Sequence, residues 1–264
     1  MIMMDWLNAL AGLLVGVVVG ITGVGGGSLM SPILILLFGV APATAVGTDL
    51  WFAAATKAAG SVVHHRQESA DLAIVGWLCA GSIPAALITL FFLFEAGGHQ
   101  VKHGLIVTML GGMLLVTSVA TLFRRQLVSA MIDVDDEVRV RRFVRFQPVL
   151  TALAGAVLGT LVTLTSVGAG ALGATLLLML YPLRLTARKL VGTDIMHAVP
   201  LTLVGGLGYM LAGAVDLKLL GMLLIGSIPG IVIGSRLTLH LNEMFVQRAL
   251  AVILFVTGLK LVMS

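Results

Sequence analysis

The sequence predicts an all-α integral membrane protein made of two inverted-topology repeats. Each repeat is a glycine-broken, hairpin-like segment followed by three transmembrane helices. Three observations predict this. Of 264 residues, 59% are hydrophobic and only 11% charged, whereas soluble domains carry roughly 25% charged residues. Apolar stretches of about 20 residues, long enough to cross a hydrocarbon core of ~30 Å, recur from end to end. Short motifs return once each at nearly constant spacing. The alternating ~10-residue segments of a β-barrel do not appear.

The elements follow in order. Residues 1–123 form the first membrane repeat. Its apolar segment Trp6–Phe38 is interrupted by "TGVGGGS", Thr22 to Ser28, with four glycines in seven residues. Helices are expected near Ala41–Val63, Leu72–Phe94 and Val101–Phe123. Residues 124–145, with six Arg and four acidic residues, are the longest polar stretch and read as a short amphipathic or irregular linker. Residues 146–264 form the second repeat: a broken segment, Phe146–Leu180, then helices near Leu183–Leu211, Leu217–Leu239 and Met244–Val262. Both repeats belong to one domain. The start, "MIMMDW", lacks the basic region of a signal peptide, so the first helix is expected to stay.

The repeat is read from its spacing. "VGTD" stands at Val46–Asp49 and again at Val191–Asp194, 145 residues on. "GSIP" stands at Gly81–Pro84 and at Gly226–Pro229, the same 145 apart. Asp71-Leu72 matches Asp216-Leu217 at that offset, and Gly76 matches Gly221. Upstream, "TGVGGGSLM" from Thr22 aligns with "TSVGAGALG" from Thr165 at an offset of 143. A two-residue insertion therefore falls near Tyr181–Arg188.

Basic residues orient the halves. Suppose each broken segment enters and leaves on one face. The loops around Arg66, Arg124–Arg145, Arg184–Lys189 and Arg236–Arg248 then share one side and hold twelve Lys or Arg. The other side holds three, at Lys102, Lys218 and Lys260. Cytoplasmic loops are the Lys/Arg-rich ones, so the linker is expected in the cytoplasm and both termini outside. This bias also accounts for the net charge of +4 without nucleic acid as a partner.

The glycine break "GITGVGGGSLMSPIL", then "AVGTDL", then "GSIPAAL", with a weaker second copy, resembles the sulfite exporter TauE/SafE family over nearly the whole chain. The resemblance implies a multi-pass transporter of the bacterial inner membrane. Such a transporter moves small sulfur-containing anions, such as sulfite, sulfoacetate or other organosulfonates, usually outward. The second copy departs from the pattern: Ser166 and Ala169 replace glycines, and His197 stands where the first half has Phe52. Another small anion, such as a carboxylate, is the alternative cargo.

Paired broken helices give such a carrier a midplane site for alternating access. Unwound backbone at membrane depth is tolerated where protein or a polar cavity satisfies it. Helices restarting at Ser28 and Ala169 would aim free N–H groups and the positive dipole end at an anion. The candidate substrate-binding residues are Thr22, Gly23, Gly25, Gly26, Gly27 and Ser28, with Thr165, Ser166, Gly168 and Gly170. Glycine lets a ligand approach the backbone, and the hydroxyls can donate to its oxygens. The competing reading of the glycines is close helix packing.

Ionisable residues within spans are functional hypotheses by default. Asp49 and Asp194 either serve the site or offset helix dipoles. Lys57, eight residues beyond Asp49, either pairs with it or attracts the anion; its repeat position holds Thr202. His197, three residues after Asp194 and on its face, either carries a proton or is a satisfied core histidine. Cys79, the one cysteine, reads as a packing residue. His64-His65 beside Arg66 read as interfacial.

No cofactor or metal is expected. No Gly-Lys-Ser/Thr follows the glycines, as a P-loop requires. An intramembrane enzyme would need a nucleophile–base dyad or an HExxH helix. Neither appears, so the chain is not expected to be an enzyme. No nucleotide-binding domain is expected either.

Overall fold

A computed structural model describes residues 2–22, 27–66, 70–94, 99–132, 137–181, 184–237 and 243–263. Among the described residues every regular element is a helix. The ten helices are α1 (Ile2–Thr22), α2 (Gly27–Leu36), α3 (Pro42–Arg66), α4 (Leu72–Phe94), α5 (His99–Ile132), α6 (Glu137–Thr165), α7 (Ala171–Leu180), α8 (Ala187–Leu211), α9 (Leu217–Leu237) and α10 (Glu243–Met263).

Among the described residues, six segments are long and apolar enough to cross a membrane: Leu72–Phe94, Gly104–Phe123, Phe146–Thr165, Lys189–Leu211, Leu217–Gly234 and Phe245–Met263. α4 illustrates the pattern. Ile74, Leu78, Ser82, Ala86, Leu90 and Leu93 are buried at helical spacing, while Trp77, Leu87, Ile88, Phe91 and Phe92 face outward. A helix apolar on its outer face as well as its inner one suits lipid rather than water.

The linker differs from the sequence reading. α5 runs on to Ile132 and α6 begins at Glu137, so most of 124–145 is helical rather than irregular. Polarity reports the solvent a segment suits and not its backbone, and both helices continue into the polar stretch.

α1 packs on α9 and α6 packs on α4, backbone against backbone. A methyl group on Gly12 would strike the Leu223 carbonyl, and one on Gly155 would strike the Leu78 carbonyl. Methyls on Gly226 and Gly81 would strike the carbonyls of Ala9 and Ala152. Each contact in one pair has its image in the other at the repeat offsets. Small residues allow this approach, which is how helices gain contact within lipid.

α3 packs antiparallel to α8. Gly47 meets Tyr209, and Trp51 Nε1 donates to the Gly206 carbonyl at 2.9 Å. α5 packs antiparallel to α10. Gly111 meets Gly258 and Val262, and Ser118 Oγ donates to the Ala251 carbonyl at 2.8 Å. α6 and α7 form a hairpin: Gln147, near the start of the apolar part of α6, donates through Nε2 to the Leu180 carbonyl at 2.8 Å. Thr151 and Tyr181 join hydroxyls at 2.7 Å.

The repeated motifs lie where the halves meet. Thr193 of the second "VGTD" accepts the Asp71 N–H at 3.0 Å. Thr48 of the first accepts the Asp216 N–H at 3.1 Å. Asp71 and Asp216 in turn cap α4 and α9, accepting from the N–H groups of Ile74 at 3.3 Å and Leu219 at 2.9 Å. Such caps satisfy helix-start donors that have no partner within the helix.

Candidate functional site

The site grows from the second break. α6 ends at Thr165, whose Oγ1 donates to the Leu161 carbonyl at 2.6 Å and accepts the Val167 N–H at 3.1 Å. The Thr165 hydroxyl thus closes the helix end. Ser166 follows at φ 58° and Gly168 at φ 112°. The first is a left-handed conformation that costs an L-residue roughly 1–2 kcal/mol, and the second is glycine territory. The Gly168 carbonyl accepts from the N–H groups of Gly170 at 2.8 Å and Gly173 at 3.0 Å. α7 therefore starts at Ala171 rather than at Ala169, because this backbone knot occupies the intervening residues.

Side chains from α3 reach this break. Lys57 Nζ donates to the Ala169 carbonyl and lies 4.0 Å from Asp194 Oδ2 on α8. The sequence left Asp49 as one possible partner for Lys57. Asp49 interacts with Lys57 through charge at longer range, and the carboxylate that Lys57 meets at 4.0 Å belongs to the other half. The opposite oxygen of Asp194 lies over Gly173 of α7, where any side chain would collide with it.

Asp49 is fully buried. Its Oδ2 accepts the Ser31 hydroxyl at 2.6 Å and the Ser31 N–H at 3.2 Å. Two donors on one oxygen favour a carboxylate that has left water. Its Oδ1 has no hydrogen-bond partner, and neither has the buried Ser166 hydroxyl. Ser166 nonetheless lies close enough to interact with Asp49.

His197 is buried on α8, with Nε2 2.9 Å from Ser82 Oγ of the first "GSIP". It is a hydrogen-bonded core histidine facing α4. Cys79 is free and half-buried. Among the described residues no three His, Cys, Asp or Glu side chains gather as for a metal.

The structure brings Ser166, Asp49, Lys57 and Asp194 together. Gly168 and Gly170 form the knot beside them. In the first break, Gly23, Gly25 and Gly26 lie outside the described residues, as do the side chains of Thr22 and Ser28. Gly27 opens α2. Sequence reasoning missed Ser31 and the Ala169 carbonyl. Ser31 has no repeat signal, since its counterpart is Ala174, and a main-chain carbonyl has none at all.

Lipid-facing helices around a buried charged cluster at a broken hairpin define a multi-pass membrane transporter. The chain belongs to the sulfite exporter TauE/SafE family, whose sequence model matches residues 8–261. It is similar to YjnA, a probable membrane transporter protein of Bacillus subtilis (strain 168), at 39% identity over 260 residues, 96% of this chain and 98% of the relative. It is also similar to YdhB, a probable membrane transporter protein of the same organism, at 27% identity over 252 residues, 94% of this chain and 96% of the relative. No solved structure matches the chain. The resemblance read from the glycine break, "AVGTDL" and "GSIPAAL" is thus borne out.

Proposed function

We propose that this protein is a secondary transporter exporting small sulfur-containing anions, such as sulfite, sulfoacetate or other organosulfonates. It does so by alternating access at a midplane site between two inverted halves. The observation that carries the site is the buried, unpartnered Ser166 hydroxyl, held at the broken helix beside a buried ammonium, Lys57. Family membership supports the cargo class. Support for inverted halves comes from the counterpart pairs α3–α8 and α5–α10, which pack antiparallel, and from glycine contacts that repeat across the halves.

Thr22, Gly23, Gly25, Gly26, Gly27 and Ser28 contribute the opposing half of the site in this reading, and Gly168 and Gly170 the near half. The membrane is the bacterial inner membrane, with the linker cytoplasmic and both termini outside, following the twelve-to-three division of basic residues. The protein works as one transport domain and is not an enzyme.

A carboxylate cargo is the second reading. Lys57 already meets a carboxylate, that of Asp194, so its surroundings accommodate one.

Thermal unfolding of the purified protein with sulfite, sulfoacetate, taurine, thiosulfate and acetate tests both readings, because a ligand of the folded state raises stability. Stabilisation by sulfur oxyanions, together with their efflux from loaded vesicles, is the expected result. Stabilisation by acetate alone would overturn the sulfur-anion reading.

A further inference from the structure

The buried cluster holds an arithmetic of charge that the anion-carrier reading does not use. Lys57 is the one cation among the fully described, buried residues, and Asp194 stands 4.0 Å from it. Asp49 has two donors of its own from Ser31 and interacts with Lys57 less strongly than Asp194 does, so it depends less on which partner Lys57 has. An incoming monoanion needs Lys57. It then leaves the Asp194 carboxylate facing a second negative charge in a region shut off from water. Like charges that close strongly favour protonation of one of them.

We propose that anion binding is proton-linked at Asp194: the anion takes Lys57 from Asp194, and Asp194 takes up one proton. Resting on the anion-carrier reading above, this names the coupling of the same site. The proton comes from the aqueous side to which the site is open and adds to an Asp194 carboxylate oxygen. The ammonium keeps its own proton and changes its ion-pair partner from that carboxylate to an oxygen of the anion. On release the anion leaves Lys57, Asp194 gives up its proton to the opposite side, and the ion pair forms again. One monoanion and one proton move together, so the cycle carries no net charge. Efflux then follows the anion and pH gradients rather than the membrane potential.

The neighbouring groups leave Asp194 as the acceptor. α3 presents Asp49 and Lys57 to it. On its own helix, His197 is bonded to Ser82 of α4, Tyr209 lies about four turns away, and Lys189 sits at the exposed start. α4 offers Cys79, and its cap Asp71, bonded to Thr193 beside Asp194, is already paired with Arg184, while α2, α7 and the described side chains of α5 and α6 offer no ionisable group. Lys218 and Arg236 lie near the two ends of α9.

The test is a proton count. Methanesulfonate, an anion that does not itself titrate near neutral pH, is bound to the wild-type protein in buffers of different ionisation enthalpy. Calorimetry is expected to give about one proton taken up per anion. Linkage then weakens binding about tenfold for each unit of rising pH while free Asp194 is ionised. Asp194→Asn should bind with no proton uptake and no such slope.

Wild-type binding without proton uptake overturns the proposal and leaves the cargo class standing. So does an Asp194→Asn variant that keeps the slope. Binding of acetate but of no sulfur oxyanion, with one proton linked beyond acetate's own titration, overturns the cargo class and upholds the linkage. Binding of none of these anions overturns both. The wild-type count decides the matter even where Asp194→Asn fails to fold.

Discussion

The Ser31 hydroxyl donates to Asp49 Oδ2 at 2.6 Å, and the Ser31 N–H donates to the same oxygen at 3.2 Å. One short residue on α2 thus supplies both donors that hold a fully buried carboxylate of α3. The second half handles the matching acid differently. Its counterpart of Ser31 is Ala174, and Asp194 meets Lys57 instead. The two halves share a fold but not a charge arrangement, and the difference concentrates at the candidate site.

Ser31→Ala is therefore expected to destabilise the protein. A hydrogen bond contributes roughly 0.5–1.5 kcal/mol net, so a loss of about 1 kcal/mol is the expectation. Thermal unfolding in detergent measures it. An unchanged midpoint would show that the N–H alone suffices for Asp49.

The glycine contacts predict matched pairs of variants. Gly81→Ala and Gly226→Ala each drive a methyl into a carbonyl of the facing helix, and both helices must separate to admit it. Overpacking of this kind typically costs about 1–3 kcal/mol, and here the obstacle is backbone, which cannot rotate away. Gly76→Ala and Gly221→Ala, another repeat pair, meet nothing within 4 Å. The first pair should lower stability and yield of folded protein alike, and the second should match wild type. Unequal losses at Gly81 and Gly226 would count against equivalent packing in the two halves.

Much of this was legible because bilayer and helix impose simple rules. The apolar run Leu72–Phe94 is bounded by the same residues in sequence and structure, with Asp71 as its cap. α8 begins at Ala187 rather than Leu183, since Thr186 forms its N-cap. The glycine knot delays α7, and the arginine-rich linker proved helical, because polarity reports the solvent and not the backbone. At the site, Asp49, Lys57 and Asp194 stood out as charges among apolar neighbours. Their partners did not. A serine inside an apolar helix is unremarked in any pattern, and which carboxylate Lys57 meets depends on how α3 crosses α8.

The shared "VGTD" and "DL" motifs make a third prediction, about a contact that sequence could pair but not explain. Thr48→Val and Thr193→Val each remove the acceptor for an N–H at the start of the facing half's helix. Each should cost about 1 kcal/mol, the usual net contribution of such a bond. Asp216→Ala should cost a similar amount through the lost cap. Arg184 also contacts Asp71, at 2.6 Å from Nη2, but it is more than half exposed, and pairs of that kind contribute roughly 0–1 kcal/mol. Arg184→Ala should be the mildest of the four by thermal unfolding. A loss larger than that of Thr193→Val would shift the contact's importance to the ion pair.

Ser166 separates stability from function. Its backbone is left-handed and its hydroxyl has no hydrogen-bond partner, so the residue is held in an unfavourable conformation without a local hydrogen bond in return. Such sites cluster where function requires them. Ser166→Gly relieves roughly 1–2 kcal/mol of backbone cost and removes only the interaction with Asp49, so the unfolding midpoint should hold or rise. Ser166→Val, with a branched side chain at positive φ, should lower it. Both variants lack the hydroxyl, and both should bind sulfite more weakly than wild type. Ser166→Ala keeps the conformation and loses the hydroxyl alone, so its affinity should fall as far as that of Ser166→Gly while its stability stays near wild type. If Ser166→Ala binds sulfite as tightly as wild type, the hydroxyl does not touch the anion and Ser166 serves the turn alone.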